Sequence, residues 1–396
     1  MKFEVTKAGL AEAVAIVAPA VGTSGSDIST HFLFRVHEGV ELLGFSGRLF
    51  ASSYLTECEL NDGEEGEAFT IEGKRLKMLL ASIKHGSDDL VFEFGEGEVK
   101  VTTPLGGNVF SSLDPNTFPY WDKSLNKAKK ETTLEFRKFK AALTYCGKFV
   151  SDQVNKVPNI CVVEYKNGTW YSTDQVVLSS VHGGASEDCN FRIFGKDLGS
   201  VLSYLNEISS YGDKIEVYTS DRVVAFKSVN GEDSPCFFGH SLYRHVFPDI
   251  GIDLDKEDHY LWTFKKDHLL NRIQFLNAGG KWDDPRLRFT PVEYETPVGQ
   301  GSWTPPRGVE ISVPSASGEE ISVDLDLVHE VCQEDAPDFD GFFLSHPYLT
   351  RVIGCIPDDE IEMRINIKED KKKGWVRFKW EMDKVTYHAV ITWVNF

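Results

Sequence analysis

Residues 69–83 read FTIEGKRLKMLLASI. The first apolar residues, Phe69 and Ile71, lie two apart, which is the period of a strand. Gly73 interrupts that period and is expected at a helix N-cap. From Leu76 the apolar residues move to helical spacing, with Leu79, Leu80 and Ile83 following. Lys74, Lys77 and Lys84 occupy the opposite face, with Arg75 beside them. One strand therefore feeds one amphipathic helix.

The chain repeats this unit. Apolar residues or Thr at positions n, n+2 and n+7 recur as Phe3, Val5, Leu10; Phe69, Ile71, Leu76; Thr132, Leu134, Phe139; Phe191, Ile193, Leu198; Trp262, Phe264, Leu269; and Phe342, Leu344, Leu349. Six copies in one chain mark an internal repeat. Strand patterns follow each helix, including His31 to Val36, Val40 to Phe45, one long run Leu49 to Leu60, Leu90 to Phe94 and Val99 to Thr103. Gly-rich turns separate them, as hairpins require. The expected fold class is α+β, each unit being a strand, a helix and about three antiparallel strands.

Two units make a domain. Phe118-Pro119 and Phe247-Pro248 close the first two pairs, since proline stops a strand. A basic linker, Lys123 to Glu131, follows the first joint, and an acidic one, Gly251 to Asp258, follows the second. The expected domains are 1–125, 126–252 and 253–396. The third is lengthened by Pro291 to Glu320, a Pro-rich stretch expected to be an extended surface loop with one short edge strand at Val309 to Val313.

The 396 residues carry seven scattered cysteines without a CxxC pair, which argues for a reducing compartment and against a zinc site or disulfide framework. No apolar run reaches the length of a membrane span. Glu4 and Glu12 interrupt the N-terminal apolar run, so no secretory leader is expected. The net charge of −19 taken alone argues against nucleic acid. Its distribution reverses that conclusion. The six helical segments, 7–21, 73–85, 137–150, 195–209, 265–281 and 345–357, together carry +11, and the rest of the chain carries −30. Lysine is a good helix former, but glutamate is an equally good one and is nearly missing from these segments. Basic helices on an acidic protein imply one face that meets phosphates, without a base-reading helix.

No nucleophile elbow, zinc-protease motif, phosphate-binding loop or dinucleotide fingerprint occurs. The paired carboxylates, such as Asp88-Asp89 and Asp358-Asp359, sit at turns. No metal, cofactor or catalytic residue is predicted, and the protein is expected not to be an enzyme.

Taken in order, MKFEVTKAGLAEAV, FTIEGKRLKMLL, SSLDPNTFPYWD, YSTDQVVLSS, VFPDI, WTFKKDHLLNRIQFL and GFFLSHPYLTRVIGCIPDDEIEMRI resemble the bacterial DNA polymerase III beta sliding clamp family. The resemblance implies a DNA clamp fold, with basic helices inside a ring and sheets outside. It implies a homodimer closed head to tail around double-stranded DNA. Such a ring is a processivity factor that tethers a replicative polymerase without sequence specificity. By position, Lys74, Arg75, Lys77 and Lys196 match basic helix starts of the family, and Gln153 and Lys156 fall in a loop that approaches DNA. Charge alone adds Lys84, Lys140, Lys148, Lys265, Lys266, Arg272 and Lys281. The family's partner-peptide pocket, where polymerase and clamp loader dock, would involve Thr173, Leu178, Pro248, Ile252, Tyr348, Ile391, Trp393 and Val394. Here the chain departs from the family: Gln175, Val176 and Val177 stand where Gly-His-Arg is usual. The departure and the long third-domain loop suggest a bacteriophage clamp, working in the cytoplasm at a nucleoid or in an infected host. The alternative is a non-DNA assembly protein built on the same repeat.

Overall fold

The aromatic residue that opens five of the six repeats packs against other rings in a core. Phe3 and Phe69 stack with ring centroids 6.1 Å apart. Phe34 and Phe92 complete a four-ring cluster, with Phe3–Phe92 at 4.8 Å and Phe34–Phe69 at 4.9 Å. All four rings are fully buried. Each stacked pair adds about 0.5–1.5 kcal/mol beyond its buried area. Trp262 and Phe342, which open the fifth and sixth repeats, stack in the same way at 5.8 Å. The third repeat opens on Thr132, which has no ring to offer. Around Phe191, which opens the fourth, rings come instead from Tyr165 at 5.1 Å, Trp170 at 5.5 Å and Phe226 at 6.1 Å.

The computed structural model describes residues 1–24, 27–86, 88–119, 121–183, 189–229, 236–248, 258–278, 286–292, 308–314, 320–333, 336–337, 340–368 and 373–394. Its α-helices are α1 (Lys7–Val17), α2 (Gly73–Ser82), α3 (Asp122–Leu125), α4 (Phe136–Cys146), α5 (Leu198–Glu207), α6 (Lys266–Ala278) and α7 (His346–Ile353). Six of them fall in the six predicted segments. The one-turn α3 overlaps the start of the supposed basic linker, and a strand, Lys129–Glu135, takes up its end. That linker is therefore mostly regular structure.

The chain forms two compact units. The first comprises Met1–Gly147, Val162–Trp170 and Gly184–Val246. It holds a five-stranded antiparallel sheet in the order Cys58–Asp62, Lys2–Thr6, Asp89–Gly95, Glu98–Thr103, Gly106–Ser111. It also holds an eight-stranded sheet: Lys129–Glu135, Lys214–Thr219, Val223–Ser228, Phe237–Ser241, Leu49–Tyr54, Val40–Phe45, His31–Val36, Ala68–Glu72. At the middle of that sheet Gly239 pairs with Phe50. An added Cβ on Gly239 would stand 2.2 Å from the Phe50 ring, so only glycine fits.

The second unit comprises Lys148–Cys161, Tyr171–Gly183 and Phe247–Phe396. Six of its strands run side by side: Val177–His182, Val385–Val394, Lys373–Met382, Glu360–Ile367, Tyr260–Lys265, His329–Cys332. A four-stranded sheet has the order Glu320–Asp326, Gly308–Pro314, Arg286–Val292, Phe342–Ser345.

Four further expectations are corrected. The run Leu49 to Leu60 is two strands in two sheets. Glu57 adopts a left-handed φ of 51°, which breaks the extended chain and redirects Cys58–Asp62 to pair with Lys2–Thr6. The supposed edge strand at Val309 to Val313 is an inner strand, paired with Arg286–Val292 on one side and Glu320–Asp326 on the other. Pro291 lies within a strand rather than opening a loop; residues 293–307 and 315–319 are outside the described residues. Finally, Gly73 is the first residue of α2 and Glu72 is its N-cap. A Cβ on Gly73 would sit 3.0 Å from the Thr30 carbonyl oxygen, so close approach rather than capping selects glycine there.

Candidate nucleic-acid interface

Leu76, Leu79 and Leu80 fix one face of α2 in the core of the first unit. Lys74, Arg75 and Lys77 are thereby left exposed, as is Lys84 just beyond the helix. Arg75 makes a solvent-exposed pair with Glu72 at 3.1 Å. Lys74, Lys77 and Lys84 have no ion-pair partner among the described residues. An ammonium that keeps its water and has no internal carboxylate is free to replace a counterion on a phosphate.

Helix α4 buries Phe139, Ala142 and Leu143 and leaves Lys140 half-exposed on its flank. Lys196 is exposed in the turn ahead of α5. The next residue, Asp197, is buried and ion-paired with Arg48, so the exposed charge of this turn is Lys196.

In the second unit Lys148, Gln153, Lys156 and Arg272 are exposed. Lys148 Nζ donates to Cys355 Sγ at 3.5 Å. The start of α6 behaves differently from that of α2. Lys265 pairs with Glu360 at 2.5 Å, and that hydrogen bond raises its pKa. Lys266 Nζ donates to the Ile356 carbonyl beyond the end of α7. Lys281 lies outside the described residues.

Several of the pocket residues gather in the second unit. Thr173 Oγ1 donates to the Val177 carbonyl at 2.8 Å and accepts from Gln175 N at 3.2 Å. Asp174 Oδ1 accepts from the backbone N–H groups of Val176 and Val177 at 3.2 and 2.9 Å. This tight turn holds Gln175 at φ 85°, where glycine is the easy choice. Leu178 packs with Trp375 and Val390, with Tyr171 alongside. Val177 pairs with Ile391 across two strands, and Ile391 is fully buried. The Tyr348 ring lies 5.4 Å from the Arg351 guanidinium, and burial followed by the Asp174 charge pushes its phenol pKa up. Arg351 Nη1 reaches Asp174 Oδ2 at 3.4 Å and donates to the Lys148 carbonyl at 3.2 Å. Pro248 is half-buried.

Trp393 is a core residue. It is 3% exposed, its ring lies 5.7 Å from Phe342, and it fills the space over Gly374. Ile252 and the side chain of Val394 lie outside the described residues. Sequence reasoning missed Arg351, Trp375 and Tyr171. Trp375 and Tyr171 gave one signal, as aromatic residues within strand patterns. Arg351 gave none, because its partners are a carboxylate and a carbonyl remote in sequence. Among the described residues no three His, Cys, Asp or Glu side chains gather into a metal-binding group, and no helix is long and apolar enough to cross a membrane.

Helices feeding antiparallel sheets, with this order along the whole chain, define the DNA clamp fold. The chain is similar to the beta subunit of the DNA polymerase of Streptococcus pyogenes over 100% of both chains, with a TM-score of 0.76 and 15% identity. It is similar to the DNA polymerase sliding clamp of Bacillus subtilis over 100% of this chain and 99% of that one, at 0.74 and 15%. The DNA polymerase III beta subunit of Thermotoga maritima matches over 100% and 99%, at 0.76 and 13%. No protein-family model and no curated protein matches the chain. These neighbours are bacterial, and they lend no support to a bacteriophage origin.

Proposed function

We propose that the protein is a DNA sliding clamp. The observation that carries this reading is the correspondence of the entire chain to sliding clamps, with no segment of either chain left over. In this reading it is a processivity factor rather than an enzyme, built from three domains, 1–125, 126–252 and 253–396. It encircles double-stranded DNA in the cytoplasm. The exposed cations of α2, with Lys140, Lys148, Gln153, Lys156, Lys196 and Arg272, line the DNA path. The turn at Thr173–Leu178, with Tyr348, receives a short peptide from a replicative polymerase or a loader.

Ring closure by a second copy is supported by two open sheet edges. Gly106–Ser111 ends the five-stranded sheet, with Val109 59% and Leu105 73% exposed. Glu320–Asp326 ends the four-stranded sheet and packs on α6, where Phe275 is 61% exposed. Exposed apolar edges invite pairing unless something covers them. In this reading a head-to-tail contact joins unlike edges of two copies, as a heterologous interface does.

Trapping on DNA tests the reading without a loader. Protein is threaded onto linear duplex, the ends are blocked with bulky protein, and the complex is washed in high salt. A clamp stays on blocked DNA and slides off open DNA. Equal retention on both, or release from both, would sink the clamp reading and favour a non-DNA assembly protein.

A further inference from the structure

Phe118, Pro119, Trp121, Leu125, Asn126 and Ala128 lie on the eight-stranded sheet of the first unit and help to wall a groove that the proposed function leaves unassigned. Trp121 and Leu125 pack on Phe50, Val223 and Ala225. The Trp121 ring stacks on Phe50 at 4.8 Å, and its buried Nε1 has no hydrogen-bond partner. Beside it is a cleft of ≈ 240 Å³ walled by Phe50, Phe118, Tyr218 and Phe237. That is below the range of about 300–1,000 Å³ usual for small-molecule sites. It has room for an anchoring side chain. One end is closed by Arg35 and Glu41, whose two hydrogen bonds of 3.1 and 2.6 Å satisfy each other.

The groove continues from Trp121 past Ser124 to Arg222 and Arg244, and then to Lys127 and Lys129. All four cations are exposed, and none has an ion-pair partner among the described residues. Two acids interrupt them, Asp221 and Glu131, and Glu131 already accepts from the Thr219 hydroxyl at 2.7 Å. The shelf combines Lys127 and Lys129, from the basic stretch after the first proline joint, with Arg222 and Arg244. It is a local excess of positive charge on a chain of net −19.

We propose that this groove docks an extended segment of a partner protein. An aromatic or large aliphatic side chain of the segment enters the cleft beside Trp121, and the acidic residues that follow it lie along Arg222, Arg244, Lys127 and Lys129. A few buried aromatic contacts supply most of the energy in such an arrangement, and rim charges set partner choice. A nucleic-acid strand fits less well. Its unbroken phosphate row would meet the Asp221 and Glu131 carboxylates, whereas a peptide can place neutral residues there. The site shares no residue with the turn at Thr173, and the proposal does not rest on DNA binding.

The test uses the full chain and a fluorescent peptide with Trp-Leu-Phe followed by spaced Glu and Asp. Three controls accompany it: the peptide with Ala anchors, the peptide with Lys in place of its acids, and oligothymidylate. The acidic peptide is expected to bind, and the Ala-anchor and Lys peptides to bind at least about tenfold more weakly. The double variant Arg222→Glu/Arg244→Glu changes exposed side chains only. It is expected to lose about tenfold in peptide affinity and to be trapped on end-blocked DNA like the parent. Undetectable peptide binding, equal binding of the Lys peptide, unchanged affinity in the double variant, or displacement of the peptide by oligothymidylate at equal concentration would each overturn the proposal. Failure of DNA trapping alone would overturn the clamp reading and leave this one standing.

Discussion

Helices α2 and α6 both begin on neighbouring cations, yet the two pairs are put to different uses. On α2, Lys74 and Lys77 stand in solvent without an ion-pair partner among the described residues, and Arg75 holds only an exposed pair with Glu72. At α6, Lys265 is tied to Glu360, and Lys266 is turned back onto the Ile356 carbonyl. Equal charges in the sequence therefore yield unequal charges for a ligand. A cation that satisfies its own protein stabilises the fold; one left to water is available to phosphate.

Separating those uses should give the largest effect first. Changing Lys74, Arg75 and Lys77 together to Ala should weaken duplex binding about a hundredfold at low salt. With four to six contacts in all, the slope of log affinity against log salt is expected near −4 to −5. The triple variant should flatten it by about 2.7, at roughly 0.9 per contact. Thermal stability should scarcely change. Titration by fluorescence anisotropy at several salt concentrations reads this, and an unchanged slope moves the DNA face elsewhere.

Lys266→Ala should invert that outcome. It should cost about 1.5–3 kcal/mol in urea unfolding, because a half-buried charge-assisted bond is lost, while the salt slope stays put. Lys265→Ala, at an exposed pair, should cost clearly less than Lys266→Ala. If Lys266→Ala lowers the salt slope as far as an α2 substitution does, the contrast between the helices fails.

The second unit also holds a buried histidine. Burial, and then the charges of Arg377, His182, Lys379 and Arg364, push the His388 pKa down to about 4. The unfolded chain takes up that proton near pH 6.5. The contribution to stability is therefore complete above that pH and is lost as pH falls from about 6.5 towards 4. A loss of roughly 2 kcal/mol over that window is expected from unfolding curves, and it should shrink in His388→Asn. A pH-independent difference between parent and variant would assign the effect to other groups.

The smallest effect concerns the turn at Gln175. Its left-handed φ costs a side chain about 1–2 kcal/mol, part of which glycine returns through its freer unfolded chain. Gln175→Gly should gain less than about 1 kcal/mol, and Gln175→Val should lose more than that. A stabilising Gln175→Val, measured by calorimetry, would mean that the turn relaxes.

The helices were legible because their signal is local. A two-residue period giving way to a helical one places six of them, and Phe3, Phe69, Trp262 and Phe342 mark the cores they serve. What stayed hidden depends on distance along the chain. The alternation through Leu55 continues smoothly, and nothing in it announces that Glu57 turns left-handed and hands the next strand to another sheet. Val309, Ile311 and Val313 alternate as a strand should, but whether a strand is edge or centre is decided by Arg286–Val292 and Glu320–Asp326. The same holds for the site. Charge on α2 could be counted, whereas the acceptor of Lys266 lies 90 residues away. Trp393 enters the pocket by resemblance alone, and its packing on Gly374 and Phe342 shows only in the fold.

The junction at Gly239 has a mechanical consequence. Phe237–Ser241 meets Leu49–Tyr54 at four residue pairs, Phe237 with Ser52 through His240 with Leu49. Tension along those strands loads the four pairs at once, in shear. Tension across them opens one pair at a time, from whichever end is pulled. The eight-stranded plate is thus stiff along one direction and has a tear line along the other, and the tear line runs where glycine lets an aromatic ring lie flat against the backbone.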